Sequence, residues 1–278
     1  MIKSLLVPVD SSAYARSALE HALELGKVYQ ARITGLYVLD VRYLEMPPYL
    51  DYSYAFEAVA PTLVPLDVME KIRAKSERIL NDFREAVEKN GLKAETRTEE
   101  GVPSQAIADI GDAYDLIIMG KRGEHARWGR ELLGSTAEDV VRRAGTPVLL
   151  VEEKARPVAK MLVMYDGSHS ANRALKFAAD IAQRTFSTVK VLTANDDAAA
   201  GAAVQDDARS YLEAQGLKVS FALEPDRAPK AALKELEKEP ADLLVIGMQG
   251  HSALYELVLG GNAEHLMRTV GLPVLLVP

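Results

Sequence analysis

The sequence predicts an α/β protein built from two tandem copies of one five-stranded unit. Each copy is a parallel sheet with helices on both faces. Three observations predict this. The chain repeats itself: Leu5-Leu6-Val7-Pro8-Val9-Asp10-Ser11-Ser12 is echoed by Met161-Leu162-Val163-Met164-Tyr165-Asp166-Gly167-Ser168, and Pro147-Val148-Leu149-Leu150-Val151 by Pro273-Val274-Leu275-Leu276-Val277. Short apolar runs alternate with stretches of helical period. Those runs are apolar on both faces, which is the mark of buried parallel strands covered by helices.

The elements follow in order. Leu5–Val9 is a short leucine and valine run, hence a buried strand. Ser12 is an N-cap for a helix through Lys27, with Ala15, Ala18, Leu19, Ala22 and Leu25 on one face. Ile33–Leu39 is the second strand. Val68 to Asn90 is a long amphipathic helix that Gly91 terminates. Leu92–Thr98 reads as the third strand, Pro103–Ala113 as a short helix and Leu116–Met119 as the fourth strand. Ser135–Arg143 is the last helix of the copy, and Val148–Val151 its fifth strand. The polar run Glu152-Glu153-Lys154-Ala155-Arg156-Pro157 is the linker, giving domains 1–153 and 158–278. The Ala198–Ala203 stretch is biased to small residues and receives no function.

The two copies differ in length. Asp10 and Asp166 are 156 residues apart, whereas Pro147 and Pro273 are 126 apart. The surplus of the first copy falls in an insertion at about 41–70, which is rich in tyrosine and proline. Insertions of this size either pack on their own domain as an ordered surface loop or serve as a lid or partner surface. Both readings stay open.

Composition excludes several classes. Of 278 residues, 48% are apolar and 26% charged, which excludes disorder. No apolar run approaches the ~18 residues of a membrane-spanning helix. With 33 Lys and Arg against 40 Asp and Glu, the formal charge is −7, which argues against general affinity for nucleic acid or anionic membrane. There is no cysteine, so disulfides and thiolate chemistry are excluded. Together with a first segment that reads as a strand rather than a secretory signal, this leads to the expectation of a cytoplasmic protein. The five histidines, His21, His125, His169, His251 and His265, have no metal-ligand spacing, so no metal site is assigned. The Lys71, Arg73, Lys75 and Arg78 row reads as the charged exterior of a helix.

In an open parallel sheet, ligands bind beyond the carboxyl ends of the strands, where strand order reverses. Asp10 ends the first strand, and Gly120-Lys121-Arg122-Gly123 leaves the fourth. Gly134-Ser135-Thr136 opens the last helix. Small residues let backbone amides converge on an anion, and a helix N-terminus adds the positive end of its dipole. Ser135 and Thr136 supply hydroxyls, Lys121 and Arg122 supply charge. This is the composition of a phosphate cradle, and Asp10 is placed to accept from a ribose hydroxyl or to face a metal ion. The pattern is neither a Walker A loop nor the dinucleotide fingerprint. Glycines after a strand also serve plain sharp turns.

The combination resembles the universal stress protein family, specifically its tandem members. Their ATP-binding members share Gly-x2-Gly-x9-Gly-Ser/Thr after the fourth strand. Here Gly120 and Gly123 are followed by ten residues and then Gly134-Ser135-Thr136, one residue more than the pattern. In the second copy Gly247 and Gly250 are followed by nine residues and then Gly260-Gly261-Asn262, where Gly261 replaces the hydroxyl. The resemblance implies strand order 3-2-1-4-5 in each open, doubly wound half, and an antiparallel pairing of the two last strands into an internal pseudo-dimer. It implies ATP or another adenine nucleotide, with Mg²⁺. Its contacts would be Pro8, Val9, Asp10, Val38, Met119, Gly120, Lys121, Arg122, Gly123, Gly134, Ser135 and Thr136. A weaker second site would use Asp166, Ala194, Gly247, Gly250, Gly260, Gly261 and Asn262, because Met248 and Gln249 replace the basic pair. The function implied is a nucleotide-binding stress-response switch with an unidentified protein partner, slow ATP hydrolysis at most and a further homodimer as an option. The alternatives are a scaffold that binds no nucleotide and an adenylating or ATP-pyrophosphatase-like enzyme. The Ser-Gly-Gly-x-Asp-Ser turn of that enzyme class is not matched by Asp10-Ser11-Ser12.

Overall fold

The computed structural model describes residues 2–41, 66–124, 133–248 and 261–278. Most of the 41–70 insertion, together with His125, Trp128, Gly250, His251 and Gly260, lies outside the described residues.

The first half runs β1 (Ser4–Pro8), α1 (Ala13–Tyr29), β2 (Arg32–Asp40), α2 (Leu66–Lys89), β3 (Ala94–Gly101), α3 (Pro103–Gly111), β4 (Leu116–Gly120), α4 (Ser135–Arg143) and β5 (Val148–Val151). The second half runs β6 (Lys160–Met164), α5 (His169–Thr185), β7 (Thr188–Ala194), α6 (Ala198–Ala214), β8 (Val219–Glu224), α7 (Ala228–Lys238), β9 (Leu243–Gly247), α8 (Gly261–Thr269) and β10 (Val274–Val277).

The ten strands among the described residues form one sheet, ordered β3-β2-β1-β4-β5-β10-β9-β6-β7-β8. Within each half the order is 3-2-1-4-5 and the pairing parallel, as expected. The halves join through antiparallel β5 and β10, with Leu149 opposite Leu275. The sheet therefore continues through the joint, and two strand edges that would template other chains are covered.

Alternation along each strand sends side chains to two cores. Leu5 and Val7 join α1, α2, α5 and α6 on one face, while Leu6 joins α3, α4, α7 and α8 on the other. Both cores contain residues of both halves, including Leu149 with Leu275 and Leu150 with Leu276. Each half's first helix starts the same way. The Ser12 hydroxyl accepts from the Ala15 amide at 3.0 Å, and the Ser168 hydroxyl accepts from Ala171 at 3.2 Å.

Some boundaries differ from expectation. The third strand begins at Ala94 rather than Leu92, because the Leu92 amide donates to Val87 O and closes the end of α2. α2 spans 24 residues against 17 for α6, so part of the insertion is spent lengthening this helix. The Ala198–Ala203 segment is the start of α6, where the Asp197 carboxylate accepts from the amides of Ala199 and Ala200.

Candidate functional site

Strand order reverses between β1 and β4, so the connections leaving them diverge and open a crevice at the carboxyl edge of the sheet. A cavity of about 910 Å³ lies there. Pro8, Val9, Asp10, Val38, Met119, Gly120, Lys121, Arg122, Gly123, Gly134, Ser135 and Thr136 all line it. Leu36, Ile72, Ile107 and Leu133 add apolar wall, and Tyr37, Asp40, Lys75 and Glu124 add polar groups that the sequence pattern did not single out.

The glycines are required first by packing. A Cβ on Gly120 would sit 2.5 Å from Tyr14 Cβ and 2.8 Å from Arg122 O. At the matching Gly247 it would sit 2.6 Å from Ala171 N. Each lets the first helix of its half press against the end of the fourth strand. Gly134 is the N-cap of α4, with extended backbone, and having no side chain it offers the first-turn amides of that helix no capping acceptor. The Gly134 amide donates to Lys121 O at 2.8 Å, which joins the glycine turn to the helix start.

Asp10 ties the turn after β1 to the glycine turn. Its Oδ1 accepts from the Ser12 amide at 2.8 Å and its Oδ2 from the Glu124 amide at 3.0 Å. Glu124 accepts from the Ser11 amide and hydroxyl, both at 2.8 Å, and from Lys75 Nζ at 2.7 Å. Burial pushes the Glu124 carboxyl up, but Lys75 and the Ser11 donors outweigh it and hold it below the usual carboxylate range. Burial likewise opposes the Lys75 ammonium, and Glu124 more than offsets it, so Lys75 sits above its ordinary value. Tyr37 is raised, chiefly by burial.

One expectation needs correction and one needs extending. Lys121 lines the cavity, but its ammonium does not serve it. The residue is 1% exposed, and its side chain crosses to the second half, where Nζ donates to Val270 O at 2.7 Å and Leu272 O at 3.0 Å; it also pairs with Glu152 of the linker at 2.6 Å. Burial is the main influence on it and lowers its pKa. Lys75 is exposed, as expected of a helix exterior, and it also borders the cavity together with Ile72, one turn earlier on α2. Helical charge spacing reports only which face of a helix is polar, not what that face meets.

In the second half the Asp166 Oδ1 accepts from Ser168 N at 2.9 Å, repeating the Asp10 turn. Ala194 and Gly247 end β7 and β9, and Gly261 and Asn262 open α8 with both residues exposed. Gly167 has φ +77°, and a Cβ there would lie 3.5 Å from Val204 Cγ1, so α6 rests against this turn. Met248, at the position of Lys121, is buried in the core. Among the described residues no group of three His, Asp or Glu is placed to hold a metal, and no helix is long and apolar enough to cross a membrane.

The family model described as "Universal stress protein family" matches twice, over residues 1–152 and 157–278. A universal stress protein of Synechocystis sp. is 28% identical over 99% of both chains. One of Thermus aquaticus is 33% identical over 54% of this chain and 99% of its own. The crystal structure of a universal stress protein from Archaeoglobus fulgidus superposes with a TM-score of 0.77 at 25% identity, covering 99% of this chain and 95% of that one.

Proposed function

Because the chain belongs to the universal stress protein family, we propose that it is a nucleotide-dependent switch whose first half, residues 1–153, holds an adenine nucleotide. Occupancy shifts the chain toward a conformation that a protein partner recognises. The observation that carries this reading is the cavity at the strand-order reversal. Its volume of about 910 Å³ suits a small-molecule ligand, and its walls join apolar side chains to an uncapped helix start.

Pro8, Val9 and Val38 would flank the base, and Asp10 would accept from the ribose. The amides around Gly120, Gly123 and Gly134, with the Ser135 and Thr136 hydroxyls, would take phosphate oxygens. Mg²⁺ would enter with the phosphates and offset their charge. Arg122 remains the basic residue of the glycine turn for this role; Lys121 contributes backbone only. We assign no catalytic residue. The Asp10 and Glu124 carboxylates already accept two and three donor groups, so hydrolysis would be slow at most.

The second half, residues 158–278, would bind nucleotide more weakly through Asp166, Ala194, Gly247, Gly250 and Gly260 to Asn262. With Lys121 turned away, the inequality rests on other differences. Gly261 and Asn262 replace Ser135 and Thr136, and α6 rests on the Gly167 turn. A cysteine-free chain suits a reducing cytoplasm, where we place the protein.

The test is direct. The purified full chain should release an adenine nucleotide on denaturation, or show a Tm increase with millimolar MgATP. Neither occurring would leave a nucleotide-free scaffold as the better description.

A further inference from the structure

Glu124 is held in an arrangement built for an anion. Three donors converge on its carboxylate: the Ser11 amide at 2.8 Å, the Ser11 hydroxyl at 2.8 Å, and Lys75 Nζ at 2.8 and 2.7 Å from its two oxygens. They come from different elements, the β1–α1 turn and α2; Lys75 and Glu124 line the cavity, and Ser11 stands at its rim between the lining residues Asp10 and Ser12. One backbone amide, one hydroxyl and one ammonium are the donor types that phosphate oxygens accept from. Glu124 has a second anchor in its backbone, whose amide donates to Asp10 Oδ2 independently of the carboxylate. Its side chain can therefore leave while the turn stays in place.

We propose that Ser11 and Lys75 form the subsite for the outer phosphates of the bound nucleotide, and that the Glu124 carboxylate occupies this subsite as an internal competitor. The proposal rests on the nucleotide reading of the same cavity and goes beyond it in assigning selectivity. A nucleoside leaves the Lys75–Glu124 pair intact and gains nothing from it. A polyphosphate displaces the carboxylate and takes its donors, and like-charge repulsion then drives Glu124 toward solvent. The exchange favours ligands with more charge than one carboxylate, so triphosphate and diphosphate are selected over the nucleoside. The second half lacks the device. Gly167 stands at the position of Ser11, and α6 carries no lysine within its first turns.

Titration calorimetry on the full chain tests this with three probes: MgATP, inorganic tripolyphosphate and adenosine. Lys75→Met keeps the apolar stem and should weaken MgATP and tripolyphosphate about tenfold while leaving adenosine unchanged. Glu124→Gln should tighten both anions several-fold and again leave adenosine unchanged. Ser11→Ala, which needs no refolding of α2, should weaken the anions in the same direction as Lys75→Met. Tripolyphosphate binding that Lys75→Met weakens, without any adenosine binding, would keep the subsite and remove the adenine reading. MgATP binding equal in wild type and all three variants would overturn the subsite and keep the nucleotide reading. No binding of any probe would overturn both.

Discussion

Lys121 sits in the glycine turn yet sends its charge out of the cavity. Its ammonium is buried against two carbonyls of the second half and one carboxylate of the linker. A buried cation stripped of water is tolerated only when its donors are matched, and here they are. Lys121→Met would leave Val270 O, Leu272 O and Glu152 without their donor. We expect a stability loss of about 3 kcal/mol, read from urea unfolding. Glycines can be ranked the same way. Gly120→Ala forces a Cβ to 2.5 Å from Tyr14 Cβ and should cost about 1–3 kcal/mol. Gly261→Ala meets nothing within 4 Å among the described residues and should shift stability by no more than about 0.5 kcal/mol. Equal losses from the two substitutions would show that packing is not what requires Gly120.

At the scale of the element, α1 carries a titration device in its buried face. His21 is 2% exposed, and burial lowers its pKa to about 4 from an ordinary 6.5. Above pH 6.5 the imidazole is neutral both folded and unfolded, so it gives no pH dependence. Between pH 6.5 and 4 the unfolded chain takes up the proton and the folded chain does not. Stability therefore falls through that window, by about 3 kcal/mol in total. The urea midpoint should decline accordingly, and His21→Leu should flatten this part of the profile. The edge strands show what element-level patterns conceal. β3 is Ala-Glu-Thr-Arg-Thr-Glu-Glu-Gly, charged and free of any apolar run, so only its neighbours reveal its extent. Those charges also discourage pairing with other chains. At the opposite edge, Gln205 donates to Ala222 O at 2.6 Å and Arg209 lies 4.0 Å over the Phe221 ring, so α6 screens β8.

At the scale of the whole molecule, the repeat becomes a pseudo-two-fold. Glu138 and Arg142 of α4 correspond to Glu264 and Arg268 of α8, and the two pairs exchange partners across the joint. Arg142 binds Glu264 at 2.8 Å and Glu138 at 3.0 Å, while Arg268 binds Glu138 and, at 3.4 Å, Glu264. These side chains are 20% to 37% exposed, so solvent screens them. A double-mutant cycle on Arg142 and Glu264 should give a coupling below about 1 kcal/mol. The apolar joint matters more: Leu149→Ala, opposite Leu275, should cost about 2–5 kcal/mol in the same urea assay. Because both cores run through the joint, the chain should unfold in one transition by calorimetry. Two resolved transitions would show that the halves are independent.

The sequence by itself determined the repeat, the strand and helix alternation, and the positions of the residues that gather at the crevice. These are local matters: apolar period, capping hydroxyls and glycine placement act within a few residues and leave a direct trace. It misdirected Lys121 and began β3 two residues early, and it did not show Lys75 and Glu124 as cavity groups. Those depend on which surface a side chain meets. That is settled only when α2 passes over the crevice and the second half closes against the first, and the spacing of residues along the chain carries no record of it.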